Sequence, residues 1–263
     1  MKYLGLIITL FLLISCAPES IESHWYNKDI TADGNDDDWN ESYLFVNNDL
    51  QLVYGVSNND RYVNILIRFQ NENLARRMLV NGFTIWLNKD NTKGICFEDQ
   101  IARDRFIERF MEGDRNRDSA RKPVLVGGPA DFRNNWLKGR FYLLGAGVKR
   151  DLQEDKDSSV KAAAGERDGF YCLEYKIKYT VDDADNNFLN VSGDAIVDAD
   201  LEISALPDEI REKMEKQRSD RYGRGERGYK QPPMAGGKHG GPAGPRQNEN
   251  ETISLRIKLA VSK

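Results

Sequence analysis

The sequence predicts an all-β fold: an antiparallel β-sandwich with one or two short helices and a flexible Gly/Pro-rich insertion before the last strand. Three observations predict it. Several short runs alternate apolar and polar residues with a period of two, the pattern of strands that bury one face. Turns rich in Asp, Asn and Gly separate these runs. Helical character is confined to brief stretches. Strands with one apolar face keep it dry by stacking two sheets.

Taken in order, Ile30 to Trp39 reads as a strand end, a turn rich in Asp and Gly, and a large aromatic. Leu50 to Val56 is strand-like, Ser57 to Asp60 is a turn, and Tyr62 to Phe69 alternates, with Val63, Ile65, Ile67 and Phe69 on one face. Glu72 to Leu79 has helical character and stops at Asn81-Gly82, a helix C-cap signal. Phe83 to Asn88 returns to strand, and 99–112 carries a helical apolar stripe through Ile101, Phe106, Ile107, Phe110 and Met111. Arg140 to Leu144, Gly169 to Ile177, Leu189 to Val191 and Asp198 to Ile203 are further strands.

Composition breaks after Pro207. Residues 211–250 are charged and then Gly/Pro-rich, with almost no aliphatic residues in the second part. Such a stretch cannot bury enough apolar area to offset its ordering entropy and reads as flexible. Thr252 to Val261 then alternates without a break, so a final strand docks back into the sheet. The insertion therefore lies within one domain, residues 28–261.

The leader is distinctive. Lys2 precedes an apolar run from Tyr3 to Ile14, which suits a signal peptide and is shorter than the roughly 20 residues of a spanning helix. The run ends in Leu13-Ile14-Ser15-Cys16, which resembles a bacterial lipobox. The resemblance implies cleavage after residue 15 and attachment of a diacylglycerol, with palmitate-type chains, to Cys16. Residues 16–27 then read as a lipid-anchored tether. Ala17, where Asp would favour inner-membrane retention, points to the outer membrane.

The balance of 38 Lys+Arg against 42 Asp+Glu gives a net charge of −4, which offers no electrostatic case for nucleic-acid binding. Beyond Cys16 only Cys96 and Cys172 remain. They lack metal-ligand spacing, and a disulfide and a pair of buried thiols both stay open.

From Ile30 onward the order Ile, Asp33-Gly34, polar residues, Asp38-Trp39 resembles the opening of family 9 carbohydrate-binding-module-like domains, related to the DOMON-like sandwiches. Asn59 to Ile67, Gly82 to Asn88 with Lys93 to Phe97, and Gly169 to Ile177 resemble later strands of that fold. The resemblance implies a sandwich of about ten strands. Such sandwiches serve as sugar-binding modules, haem or redox domains and lipoproteins.

Candidate chemistry is sparse. Asp33, Asp36 and Asp38 pack hard oxygens that could hold Ca²⁺, without EF-hand spacing. Of the tryptophans, Trp39 and Trp86 lie in strand-like runs and read as core. Trp136 sits in polar Asn134-Asn135-Trp136-Leu137-Lys138 and reads as a loop platform for a sugar face, with Tyr142 near it. The two histidines fall in the tether (His24) and in the Gly/Pro tract (His239), so no rigid scaffold holds a His-based catalytic group. No nucleophile-elbow, zincin or P-loop pattern is present. The expectation is a non-enzymatic, lipid-anchored protein of the cell envelope that binds a carbohydrate or other envelope ligand. The alternative is an interaction protein that recruits a protein partner and binds no sugar.

Overall fold

A computed structural model describes residues 19–87, 91–112, 129–155, 158–179, 189, 195–206, 208, 210–213, 216 and 250–261. The chain folds as a β-sandwich. Its strands are β1 (Glu19–Glu22), β2 (His24–Trp25), β3 (Leu44–Asn47), β4 (Leu52–Asn58), β5 (Tyr62–Phe69), β6 (Phe83–Trp86) and β7 (Lys93–Glu98), followed by β8 (Arg140–Gly145), β9 (Val148–Asp151), β10 (Val160–Arg167), β11 (Phe170–Lys178), β12 (Ile196–Ile203) and β13 (Glu251–Lys258). Helices α1 (Glu72–Asn81), α2 (Gln100–Glu112) and α3 (Pro129–Trp136) and a 3-10 turn (Glu41–Tyr43) complete the described elements.

One sheet runs β1-β13-β12-β6-β7-β8-β9, and the other β10-β11-β5-β4-β2 with β3 also on β4. Among the named strands pairing is antiparallel except for β1 with β13 and β2 with β4, which are parallel. The all-antiparallel expectation is corrected at these two places, because the N-terminal strands enter as edge additions rather than through hairpins.

The alternation in the sequence sets the two faces of each strand. Val63, Ile65, Ile67 and Phe69 on β5, with Tyr171, Leu173, Tyr175 and Ile177 on β11, point into the core. Opposite them lie Phe83 and Ile85 on β6, Ile95 and Phe97 on β7, and Val197, Ala199, Leu201 and Ile203 on β12. The last strand docks as its alternation requires, with Leu255 and Ile257 buried.

Helices α1, α2 and α3 gather at one end of the sandwich. Asn71 caps α1 by accepting from the Asn73 and Leu74 amides, and Gly82 ends it at φ +92°. Asp99 N donates to Leu79 O at 2.9 Å, so α2 starts where β7 stops. The end is plugged by aromatics. Trp136 meets Phe97, Phe69 and Tyr171 edge to face at centroid distances of 4.8, 5.6 and 5.3 Å.

The expected tether of residues 16–27 is corrected from Glu19 onward. Glu19–Glu22 pairs with β13, and His24–Trp25 pairs with β4 in the other sheet. The crossing is pinned at Ser23, whose hydroxyl donates to Asn58 Oδ1 at 2.5 Å, while Ala260 N donates to the same oxygen at 3.0 Å. His24 is accordingly held, stacked on Tyr43 at 3.8 Å. Cys16 and the signal segment lie outside the described residues, as do His239 and most of 211–250. Of the stretch opening that insertion, Asp208, 210–213 and Lys216 are helical, with Ile210 buried.

Candidate functional site

The expected ligand platform is not a loop. Trp136 closes α3, is 0 % exposed, and donates its indole N–H to Gly165 O at 2.8 Å. With both faces and its donor engaged, it offers nothing to a sugar. Tyr142 is no better placed. It points away from the core on β8, on the side opposite Phe141, and is 9 % exposed under Lys149 Nζ, 4.1 Å from its ring centroid. Burial, then the nearby Asp151 carboxylate, raises its phenol above the usual value.

The Asp33–Asp38 turn does not converge on a cation. Asp33 Oδ1 accepts from Asn35 N at 2.8 Å, Asp36 pairs with Arg68 at 2.5 Å, and Asp38 Oδ2 accepts from Thr31 N at 3.3 Å. Each carboxylate serves a different local partner. Among the described residues no group of three His, Cys, Asp or Glu is placed to hold a metal ion.

The turn has a structural task instead. It crosses the outer face of the six-stranded sheet as a strap. Glu174 stands there, 1 % exposed, and accepts from Asp33 N (3.0 Å), Gly34 N (2.8 Å) and Trp39 Nε1 (2.8 Å). Burial pushes its carboxyl up to about 7 against the opposing pull of these hydrogen bonds. Gly34, at φ +87°, lies against the β10 backbone, where a Cβ would come within 2.7 Å of Ala164 C and Gly165 N. Ile30, Trp39 and Leu66 form a small second core beneath the strap. Lys176 Nζ clamps its start, 2.5 Å from Asp29 and 3.0 Å from Ile30 O. Trp39 is buried as expected, but in this outer layer.

The outer face of the seven-stranded sheet differs. The register sets Ser254, Asp200, Trp86, Gly94, Leu144 and Lys149 in one row across β13, β12, β6, β7, β8 and β9. Trp86 therefore faces outward, opposite Phe83 and Ile85, and is partly exposed. The core reading of Trp86 is corrected here. Its indole lies over Gly94, where a Cβ would meet ring carbons Cε3 and Cζ3 at 2.6 and 2.9 Å. Trp86 Nε1 donates to Glu202 Oε2 at 3.0 Å, and Asn250 Nδ2 donates to Glu202 Oε1 at 2.8 Å. One ring face thus packs on Gly94 while its edge is tied to Glu202, which fixes the indole as a flat platform.

Beyond Gly94 the face turns charged. Glu98, 4 % exposed, pairs with Lys149 and with Arg103 at 3.5 Å. Cys96 Sγ lies 3.9 Å from Glu98 Oε2. Burial, with Glu98 adding, pushes the Cys96 thiol up to about 11. Cys172 is also free and buried, on the outer face of the other sheet, and burial pushes it up to about 12. The two thiols face away from each other across the whole sandwich, which rules out the disulfide.

Period-two alternation carried both outward assignments. Thr84 and Trp86 alternate with Phe83 and Ile85, and Glu174 alternates with Leu173 and Tyr175. The signal for Trp136 was its i,i+4 spacing from Phe132, masked by the neighbouring asparagines.

No family model matches the chain, and no curated protein matches it. Among solved structures the chain is similar to a carbohydrate binding module family 9 from Caldicellulosiruptor kristjanssonii in complex with glucose, at 10% identity and a TM-score of 0.33, covering 73% of this chain and 81% of that one. It is likewise similar to a module of the same family and organism in complex with cellotriose, at 12% identity and a TM-score of 0.31, covering 70% and 76%. The sandwich itself rests on the strand pairing described above.

Proposed function

We propose that this protein is a non-catalytic lipoprotein of the cell envelope, anchored through Cys16 in the outer membrane, that binds a carbohydrate on the outer face of its seven-stranded sheet. The observation that carries the reading is Trp86: a partly exposed indole laid flat on Gly94 and held by Glu202. A fixed aromatic plane buries the apolar C–H face of a pyranose without first losing rotamer entropy. Asp200 sits beside it in register and Glu202 holds its N–H, so polar groups stand next to the plane for hydroxyl recognition. On the six-stranded sheet the Ile30–Trp39 strap covers Glu174.

The non-catalytic part of the reading follows from the same face. Its central carboxylate, Glu98, is held between two cations, and its thiol, Cys96, stays protonated at neutral pH. The test is a glycan-array and calorimetric screen of the chain from Ala17, with Trp86→Ala and Trp136→Phe in parallel. Binding lost in Trp86→Ala and kept in Trp136→Phe supports the site. Absence of binding to every envelope and plant polysaccharide overturns it.

A further inference from the structure

The indole of Trp86 is tied by Glu202, and Glu202 is itself tied by one further side chain. Its Oε2 accepts from Trp86 Nε1 at 3.0 Å, and its Oε1 accepts from Asn250 Nδ2 at 2.8 Å. Among the described residues these are its hydrogen bonds, so together they set the plane of the carboxylate. The terminal torsion of a Glu side chain is broad, and with one oxygen released the group turns away from the indole at little cost.

Asn250 stands at a junction. The last pair of the β12–β13 ladder is Ile203 with Glu251, and Asn250 lies one residue outside it. Its Oδ1 accepts from Ala205 N at 2.7 Å, on the other arm of the same stem. The side chain therefore clasps β12 to β13 at the base of the long connection between them. Both ends of its amide are used as their chemistry requires, with the oxygen on a backbone N–H and the NH₂ on a carboxylate.

A second observation shows the same arrangement on the other sheet. Glu174 gives Oε1 to the Trp39 indole and Oε2 to the amides of Asp33 and Gly34. Trp39 lies over Gly55, where a Cβ would come within 3.0 Å of its ring, as Trp86 lies over Gly94. Each indole thus rests on a strand glycine and on a carboxylate whose other oxygen is held by a loop. At Trp39 the holder is buried backbone. At Trp86 it is a single exposed side chain.

We propose that Asn250 is a positioning residue for Trp86: acting through Glu202, it couples the base of the β12–β13 connection to the plane of the indole. The consequence for ligand affinity rests on the proposed carbohydrate site, whereas the coupling itself does not. Loss of one such hydrogen bond should weaken a ligand stacked on Trp86 about two- to tenfold. Linkage makes the effect reciprocal, so a ligand that steadies the indole also steadies the clasp.

The test begins without any ligand. The full chain is ¹⁵N-labelled, and the indole N–H signals are assigned by single Trp→Phe variants. Asn250→Asp keeps an oxygen for Ala205 N and sets a carboxylate against Glu202. The Trp86 signal should move and its N–H should exchange with solvent several-fold faster, while the Trp39 and Trp136 signals stay in place. The double variant Glu202→Gln/Asn250→Asp restores the chain of bonds with one polarity reversed. The introduced amide gives its NH₂ to the introduced carboxylate and its oxygen to Trp86, so signal and exchange rate should return toward wild type. An unmoved Trp86 signal in Asn250→Asp overturns the proposal. So does a double variant that fails to restore it while the Trp39 and Trp136 signals report a folded sandwich. Asn250→Ala, which removes both arms without adding charge, should also move the Trp86 signal, and its failure to do so overturns the proposal as well. Calorimetry with cellohexaose is run beside these, with two- to tenfold weaker binding expected for Asn250→Asp and recovery in the double variant. Unchanged cellohexaose affinity in Asn250→Asp overturns the effect on binding. No cellohexaose binding by the wild type, with the indole response as expected, supports the coupling and counts against the sugar reading alone.

Discussion

Glu174 offers the sharpest prediction about stability. It accepts from Gly34 N, Asp33 N and the Trp39 indole, and its side chain lies beneath the strap that covers the six-stranded sheet. Glu174→Ala strands the donors of Gly34 and Trp39 in buried positions, at about 1–3 kcal/mol each, so a loss of about 2–6 kcal/mol is expected. Glu174→Gln keeps the shape and removes the titration. Burial raises the carboxyl from 4.5 to about 7 in the folded chain. The folded state therefore binds more proton than the unfolded state between those values. The stability due to this group is fully present below pH 4.5 and falls as pH rises through 7, by about 3 kcal/mol at 1.36 kcal/mol per unit. Urea denaturation followed by tryptophan fluorescence, from pH 4 to 8, measures it. The difference between wild type and Glu174→Gln should slope downward across that window and be flat above it. A difference independent of pH, together with an Ala variant as stable as wild type, would refute the strap reasoning.

Three further outcomes follow from burial. Trp136→Ala should cost about 3–5 kcal/mol in chemical denaturation, since it empties the centre of the aromatic plug and strands Gly165 O. Tyr175→Phe should leave stability unchanged or raise the melting temperature, because its hydroxyl is buried without a hydrogen-bond partner among the described residues. Cys96 and Cys172 should resist a thiol reagent at pH 8 in the native chain and react at once in denaturant, since burial holds both thiols far above that pH.

The fold was legible because strand alternation is a local signal. Val63 to Phe69 and Thr252 to Val261 show their buried faces without any knowledge of partners. Two features were not local. The parallel pairing of Glu19–Glu22 with β13 joins residues more than two hundred positions apart, so the segment read as tether. The Asp-rich turn read as a solvated loop or cation site because its true partner, Glu174, lies 140 positions away from Gly34. The candidate site was misread for a different reason. Polar neighbours made Trp136 look exposed, and an apolar run made Trp86 look buried, although composition around a residue does not decide which face of its element it occupies. Alternation does, and it places Trp86 outside with Thr84.

The most direct test of the Trp86 platform is a ¹H–¹⁵N spectrum of the four indole N–H groups during titration with oligosaccharides found to bind in the array screen. The Trp86 signal, assigned with Trp86→Phe, should move with ligand concentration, and the Trp136 and Trp39 signals should stay in place, because those N–H groups are tied to Gly165 O and Glu174. Movement of other indoles while Trp86 stays fixed would contradict the proposal that the outer face of the seven-stranded sheet binds the ligand.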